Sequence, residues 1–370
     1  MKLEEKILEV NFGPQHPATH GVLRVKVKLD GEYVLEAQPI LGYLHRNAEK
    51  LSEMKYYVQS TVYMDRLDYV SAHQMELGYV LAAEKLVDIE APERANYIRV
   101  LFAELNRIAS HLVFIAAFGL DAGMMTPFFY CFREREKIIE MYEMTSGARL
   151  EYNYFSIGGV YKDLPEGFEE KFKAFYEEFP KKMEEIRNLF ATNEIFVSRT
   201  KKIGILKPED AKSLSVTGPV LRASGIPFDI RKEYPYLMYD KLDFDVPTYS
   251  LGDVYNRFMI RFDEMKQSLR IAKQVMDKMP GGEYYNQKAR KQFMLRLKGT
   301  GEVYSRTESS RGEFGIYLIG DGSPKPYRVR IRSPTFHNMT AIPTVSKGYK
   351  ISDMVLSISS MDPVFGEVDR

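Results

Sequence analysis

The chain is short of sulfur. One cysteine, Cys131, stands among 370 residues. A single thiol excludes an internal disulfide, a Cys-rich zinc site and any iron–sulfur cluster held by this chain alone. A reducing, cytoplasmic setting fits. Tryptophan is absent, although aromatics reach 13% and there are 18 methionines, a mixture suited to irregular cores and partner-facing surfaces. Charge of one sign is also missing: 52 Lys and Arg balance 51 Asp and Glu, so no basic excess points to nucleic acid. The longest apolar run, Leu112–Leu120, is nine residues, against roughly twenty needed to cross a bilayer, so no transmembrane segment is expected. The first ten residues alternate charged with apolar groups and do not read as a signal peptide. H-E-x-x-H, the Walker loop, G-x-G-x-x-G after a strand and the nucleophile elbow are all absent. No repeat, low-complexity tract or linker divides the chain, so one domain over 1–370 is expected.

What is present begins with GPQHPATHG at 13–21. Pro14 and Pro17 fix φ and push their predecessors to extended backbone, so His16 and His20 belong to a stiff loop and not to one helical face. Gly13 and Gly21 permit sharp entry and exit. Two titratable rings on such a loop suit proton chemistry; a turn whose histidines bond the backbone is the alternative. Strands are expected over 7–38, where Val25, Val27 and Leu29 alternate with Arg24, Lys26 and Lys28 and Asp30-Gly31 makes a hairpin turn. A helix is expected from about Pro39 to Met54, and another ends near Leu86.

Pro92 and Glu93 open a long helix whose face is Ile98, Leu101, Leu105, Ile108, Leu112 and Ile115. It should end near Gly119, leaving Asp121 in the loop 119–126. Thr126 as N-cap and Pro127 start a helix stopped by Gly147. Phe168, Phe172, Phe175, Phe179, Met183 and Ile186 form one stripe over 165–190, which Pro180 should kink or split. Residues 216–250 read as irregular. A helix over Asp253–Met279 is stopped by Pro280-Gly281-Gly282, and a late hairpin is expected from Glu313–Ile319 and Tyr327–Arg332 around Gly320-Asp321-Gly322. The class is α+β, mainly helical: an N-terminal β subregion over 1–38, a helical core over 39–150 and 165–280, and a late hairpin and tail over 300–370. Gly299-Thr300-Gly301 is turn chemistry, Cys131 reads as a buried inert thiol, and His111 as a satisfied core histidine; His73 and His337 carry no argument.

A scattered polar set remains: His16, His20, His45, Arg46, Tyr69, Asp121, Glu367, Asp369 and Arg370. Spacing does not bring these together. GPQHPATHG, GYLHRNAEKL (42–51), DRLDYVS (65–71), ELNRIASHL (104–112), GLDAGMMTPFFYCFREREKI (119–138), SRTESSRGEFGIYL (305–318) and DPVFGEVDR (362–370) occur in that order. Taken together they resemble the D subunit, or 49-kilodalton-type subunit, of respiratory complex I, NADH:quinone oxidoreductase. That family is similar to the large subunit of NiFe hydrogenases, which holds metal through two Cys-x-x-Cys pairs. Here Val364 and Glu367 stand where the terminal pair would, and thiolates are what such a metal demands, so no metal site is expected.

The resemblance implies an NiFe-hydrogenase-like helical bundle whose former metal pocket receives a quinone as substrate. It implies that His20 and Tyr69 hydrogen-bond the quinone headgroup and supply protons, from groups with ordinary pKa values of about 6.5 and 10. Asp121 resembles the carboxylate partner of His20, raising its pKa and fixing its tautomer. Arg46 corresponds to an arginine near the 4Fe–4S cluster of the adjacent small subunit, where a fixed positive charge raises the potential; His45 serves the same region. The other reading of Arg46 is a helix-surface ion pair with Glu49. Arg370 either reaches the quinone chamber or anchors the tail.

The implied partners are the small iron–sulfur subunit, other peripheral-arm subunits and the membrane subunit that forms the quinone entrance. The implied place is the cytoplasmic side of the cell membrane, as a peripheral subunit of a proton-translocating complex, with no cofactor bound by this chain alone. The electron donor (NADH, reduced F420 or ferredoxin) and the quinone stay open. The rivals are the large subunit of a membrane-bound energy-converting hydrogenase and a non-catalytic scaffold of the same superfamily.

Overall fold

A computed structural model describes residues 7–15, 20–289 and 296–370. The period-two pattern near the start folds as expected into an antiparallel sheet of β1 (Leu8–Phe12), β2 (Arg24–Asp30) and β3 (Tyr33–Ile40), with Val10 opposite Val27 and Val27 opposite Ala37. Val25, Val27 and Leu29 turn inward onto a cluster with Val34, Met339, Ile342, Val345, Ile358 and Phe365. The helix expected from Pro39 is much shorter. Pro39 still pairs with Val25 at the end of β3, and α1 covers only Ala48–Met54. Asn47 explains the late start: its φ of 60° is left-handed, so helical backbone cannot run back through it.

After α2 (Thr61–Met64) comes α3 (Ala72–Val87) and then the 29-residue α4 (Glu93–Asp121). Among the described residues α4 alone is long and apolar enough to cross a membrane, yet 89% of its apolar window is buried inside the fold. It is a core helix, packed between α5 (Thr126–Ser146) and α11 (Val254–Asp277). Asp121 is the last residue of α4, past the expected end near Gly119, so its position is fixed by the helix and not by the following loop. α5 begins one residue early, with Met125 at the cap, and ends as expected at Gly147, whose φ is 80°.

Between these, β4 (Phe155–Ser156) and β5 (Gly159–Val160) form a small ladder. α6 (Phe168–Ala191) runs unbroken through Pro180. The phenylalanine stripe explains why: Phe172 and Phe175 before the proline and Met183 and Ile186 after it are buried in one cluster, and that packing outweighs one lost backbone hydrogen bond. After α7 (Glu194–Thr200) and α8 (Pro208–Ser213), the stretch 216–250 carries only short helices, among them α9 (Gly218–Ala223) and α10 (Ile230–Glu233).

The late sheet has three strands: β6 (Thr300–Ser309), β7 (Gly312–Asp321) and β8 (Arg328–Arg332). The expected pairing of β7 with β8 is present, but the principal hairpin is β6 with β7, turned at Ser310-Arg311. β6 escaped the pattern because its inward half is polar, with Ser305, Thr307, Glu308 and Ser309 all buried. α3 lies on this sheet so closely that a Cβ on Gly78 would stand 2.6 Å from the Phe314 ring. The result is mixed α+β and mainly helical, about 52% helix and 14% strand.

Candidate functional site

The C-terminal stretch from Ser359 to Arg370 is the spine of the site. A helix over Ile351–Ser359, a turn at Asp362-Pro363 and a short helix over Phe365–Asp369 thread it through the core, where almost every residue is buried. Gly366 allows the passage: a Cβ there would press on the Leu67 carbonyl and stand 2.9 Å from that of Arg66.

At one end stand His20 and Asp121. His20 lies in the loop before β2, at a left-handed φ of 50°, and its Nε2 is 3.4 Å from Asp121 Oδ2. No hydrogen bond forms between them, and Nε2 is buried without one among the described residues. The same Asp121 oxygen instead accepts the Ser359 hydroxyl at 2.5 Å. Gly13 and Gly21, at φ of 79° and 115°, provide the sharp entry and exit expected of this loop. His16 lies outside the described residues.

Tyr69 sits between α2 and α3 with 42% of its surface exposed. Desolvation of its phenol, then the neighbouring Asp68 carboxylate, push its acidity below that of free tyrosine, so it keeps its proton at neutral pH and can donate it. Asp68 and Tyr69 are tied to the spine by Arg311. From the β6–β7 turn its guanidinium donates to Asp68 Oδ2 at 2.7 Å, to Asp362 Oδ1 at 3.0 Å and to the Asp362 carbonyl at 3.1 Å. Two glycines make room for the turn: a Cβ on Gly218 would stand 2.5 Å from the Arg311 carbonyl, and one on Gly312 would stand 2.6 Å from the Gly218 nitrogen. Among the ion pairs of the described residues, Asp362 is held to this turn by Arg311 alone. Burial holds the Asp362 carboxyl above its ordinary value against the pull of Arg311 and Arg261. Glu367, buried in the final helix and accepting from the Thr335 backbone and hydroxyl, is likewise pushed up by burial and by Asp68.

His45, Arg46 and Arg370 gather at the other end. His45 Nδ1 donates to the Asp369 carbonyl at 2.6 Å, which raises the ring's pKa and fixes its Nδ1–H tautomer. The Asp369 carboxylate accepts the Gly42 and Leu44 amides at 2.8 and 2.7 Å. Arg46 precedes α1 and donates to the Arg66 and Gly366 carbonyls at 2.5 and 3.4 Å. The helix-surface pair of Arg46 with Glu49 does not form: Glu49 takes Arg330 at 3.1 Å, the Ile331 amide at 2.8 Å and Arg370 at 3.4 Å. Arg370 also stacks on Phe336, 5.0 Å from the ring centroid.

Sequence reasoning missed Ser359, Asp362, Asp68 and Arg311. Three of them lie in quoted motifs, DRLDYVS, SRTESSRGEFGIYL and DPVFGEVDR, but nothing in the spacing shows that these stretches meet. Behind them a buried belt of ions braces α4 and α11. Glu104 accepts from Arg231 at 3.0 Å and from Tyr239 and Ser268 at 2.6 Å each, and Glu264 accepts from Arg222 at 2.7 Å and His111 at 2.9 Å. His111 is thus the core histidine expected, and Cys131, its thiol pushed up to about 12 by burial, is inert.

Comparison with known proteins decides the family. The profile described as "Respiratory-chain NADH dehydrogenase, 49 Kd subunit" matches residues 121–370. The chain belongs to that family. A D-type subunit of the NADH-quinone oxidoreductase of Roseiflexus sp. (strain RS-1) is 47% identical over 374 residues, covering 100% of both chains. The equivalent protein of Dehalococcoides mccartyi (strain BAV1) is 48% identical over 371 residues, again covering 100% of both. That of Magnetococcus marinus is 45% identical over 382 residues, spanning 98% of this chain and 96% of that one. The family is one of subunits of a multi-subunit oxidoreductase. Its profile begins at Asp121 and takes in the whole spine, while the His20 loop and Tyr69 fall within the full-length relatives.

Proposed function

We propose that this member of the 49-kilodalton family lines the quinone headgroup site of a proton-translocating NADH:quinone oxidoreductase. The observation that carries the reading is one arrangement along the C-terminal stretch: an imidazole 3.4 Å from a carboxylate at His20 and Asp121, with Asp121 bound to Ser359, and a protonated phenol at Tyr69 next to Asp68, which Arg311 joins to Asp362. Reducing a quinone to a quinol takes two electrons and two protons. The electrons come from the 4Fe–4S cluster of the adjacent small subunit. Charge arriving on a headgroup in a largely apolar hollow has to be paired or protonated at once. Tyr69 Oη–H and the His20 ring N–H donate to the two carbonyl oxygens and then give up protons. Asp121 holds the His20 imidazolium before transfer and is left without its counter-charge afterwards. Loss of that attraction is the local event through which quinone reduction reaches the proton-pumping arm.

At the far end, Arg46 is held by two backbone carbonyls, and no carboxylate pairs with it among the described residues, so its charge is available to the neighbouring cluster. A positive charge there favours the reduced cluster. Arg370, paired with Glu49, closes the tail against the same face. The protein sits as a peripheral member on the cytoplasmic side of the membrane. It contacts the small iron–sulfur subunit and the membrane subunit that admits quinone, and its single domain is hydrogenase-like.

The test uses the assembled complex carrying His20→Ala or Tyr69→Phe, with reduction of a soluble acceptor at the electron-input end as the control for assembly. Quinone reduction should fall about a hundredfold with the control unchanged. Native quinone turnover in both variants would overturn the reading.

A further inference from the structure

Asp65 and Glu76 are buried carboxyls with no cation paired to them among the described residues. Asp65 closes α2 and Glu76 lies in α3, both at 0% exposure. Each commits one oxygen to a backbone amide near β4. Asp65 Oδ2 accepts that of Asn153 and Glu76 Oε2 that of Phe155, both at 2.7 Å. The other oxygens, Asp65 Oδ1 and Glu76 Oε1, are buried, and no N–H or O–H of the described residues is donated to them. The guanidinium next in sequence, Arg66, is turned away to Glu151 at 2.6 Å. The two acids are hydrogen-bonded to each other instead. A carboxylate has nothing to donate, so such a bond requires a proton on one of them. The pair is a carboxylic acid beside a carboxylate.

Arg66 and Glu151 stand at the rim of the pair and act on Asp65 with opposite sign. Tyr152, ahead of β4, feels both acids and also Arg135 of α5, and Tyr161, after β5, feels Glu76. On α3 itself His73 stacks on Tyr152 and is uncharged, since burial pushes it down to about 3. Burial is likewise the largest influence on both acids. It raises Asp65 to about 6, and Glu76 is lifted further by the charge of Asp65. Asp65 precedes Tyr69 by four residues and Glu76 follows it by seven. The pair therefore fastens together the two ends of the segment that exposes the phenol.

We propose that Asp65 and Glu76 are positioning residues for quinone reduction, a clamp whose single shared proton closes the base of the segment that presents Tyr69. This rests on the quinone reading of Tyr69. Neither acid touches the headgroup or gives it a proton. When the shared proton leaves for solvent, two buried carboxylates face each other with no cation between them. The base of the segment then parts, and the phenol is no longer held toward the headgroup. The clamp is thus tight in acid and slackens as pH rises.

Hydrogen exchange of the backbone amides over 66–72 in the assembled complex reads the opening, measured beside the quinone KM from about pH 5 to about pH 8. Glu76→Gln donates to Asp65 through an amide that does not titrate, and should hold the segment closed at every pH. Dividing native rates by those of Glu76→Gln cancels the intrinsic chemistry of exchange. The opened segment carries carboxyls with ordinary values of about 4, so the quotient should climb with pH by up to about tenfold per unit. The native quinone KM should climb relative to the variant over the same range, with kcat changing less. Asp65→Asn carries the same expectation and replaces Glu76→Gln should that variant fail to assemble. A flat quotient would overturn the proposal, and so would a rising quotient with a flat KM ratio. The two readings separate cleanly. If Tyr69→Phe turns over normally, the quinone site itself is wrong; if it is inactive and the quotient is flat, only the clamp is wrong.

Discussion

Ser359 gives its hydroxyl proton to the oxygen of Asp121 that faces His20, at 2.5 Å against the 3.4 Å that separates acid from imidazole. Asp121 therefore divides one oxygen between a neutral donor on the spine and a titratable ring on the loop. Asn at 121 could still accept from Ser359, so the fold should survive the change. Asp121→Asn should lower quinone turnover about tenfold or more and reduce the protons moved per electron. Turnover and acidification measured together in sealed membrane vesicles check this; native values of both would end the role given to Asp121.

The buried belt behind the site makes a sharper stability prediction. Glu104 is fully buried yet its carboxyl is held below the ordinary range, because Arg231 and Arg107 together outweigh its desolvation. Glu104→Ala leaves both guanidiniums buried without that counter-charge, which costs about 3–5 kcal/mol. Denaturant unfolding of the complex, or the amount of this protein recovered in it, reads this loss. An unchanged midpoint would show that water replaces the carboxylate.

His73 carries a pH prediction. Its ring is buried in α3, stacked 4.4 Å from Tyr152 and tilted against Tyr142 at 4.7 Å, and neither nitrogen has a hydrogen-bond partner among the described residues. Burial alone pushes it down to about 3. The unfolded chain binds a proton here near pH 6.5 and the folded one does not, so this residue withdraws stability as pH falls from about 6.5 toward 3. His73→Phe removes that loss. The variant should equal or exceed the native protein at pH 7 and exceed it by about 2 kcal/mol more at pH 5. The raised carboxyls of Asp65 and Glu76 work in the opposite direction but are common to both proteins, so they cancel in the difference. A pH-independent difference in unfolding midpoint would contradict the assignment.

Gly366 tests the spine itself. With carbonyls of Leu67 and Arg66 against its α-carbon, backbone atoms would have to move to admit a methyl group. Gly366→Ala should cost about 1–3 kcal/mol and displace the carbonyl that Arg46 uses. A melting curve checks the first effect, and the midpoint potential of the 4Fe–4S cluster proposed beside Arg46 checks the second. Native values of both would show that the passage is looser than its geometry.

How much of this was legible in the chain depends on what each element buries. Helices that bury apolar side chains announced themselves: Ile98 to Ile115 in α4, the phenylalanines of α6, the stop at Gly147 and the start of α11 near Asp253. β6 did not, since a strand that buries Ser305, Thr307, Glu308 and Ser309 has no apolar alternation to read. The start of α1 was hidden because the left-handed φ of Asn47 is a property of the folded backbone. At the site, the individual motifs were visible and their kinship named the family, but Asp362 and Ser359 meet Arg311 and Asp121 from 51 and 238 positions away, and proximity of that kind leaves no period in a sequence.

Arg311 joins residues that are 243 and 51 positions distant from it. During synthesis, a ribosome that has released both long core helices and the late hairpin has still not supplied the hydroxyl that Asp121 accepts or the carboxylate that Arg311 holds, because Ser359 and Asp362 have yet to emerge. A prematurely terminated copy would bury its phenylalanines and look folded to any probe of helix content while leaving Asp121 and Arg311 without those partners. Completion of the chain, and not collapse of its core, is the step at which the protein becomes fit to be joined to its partners.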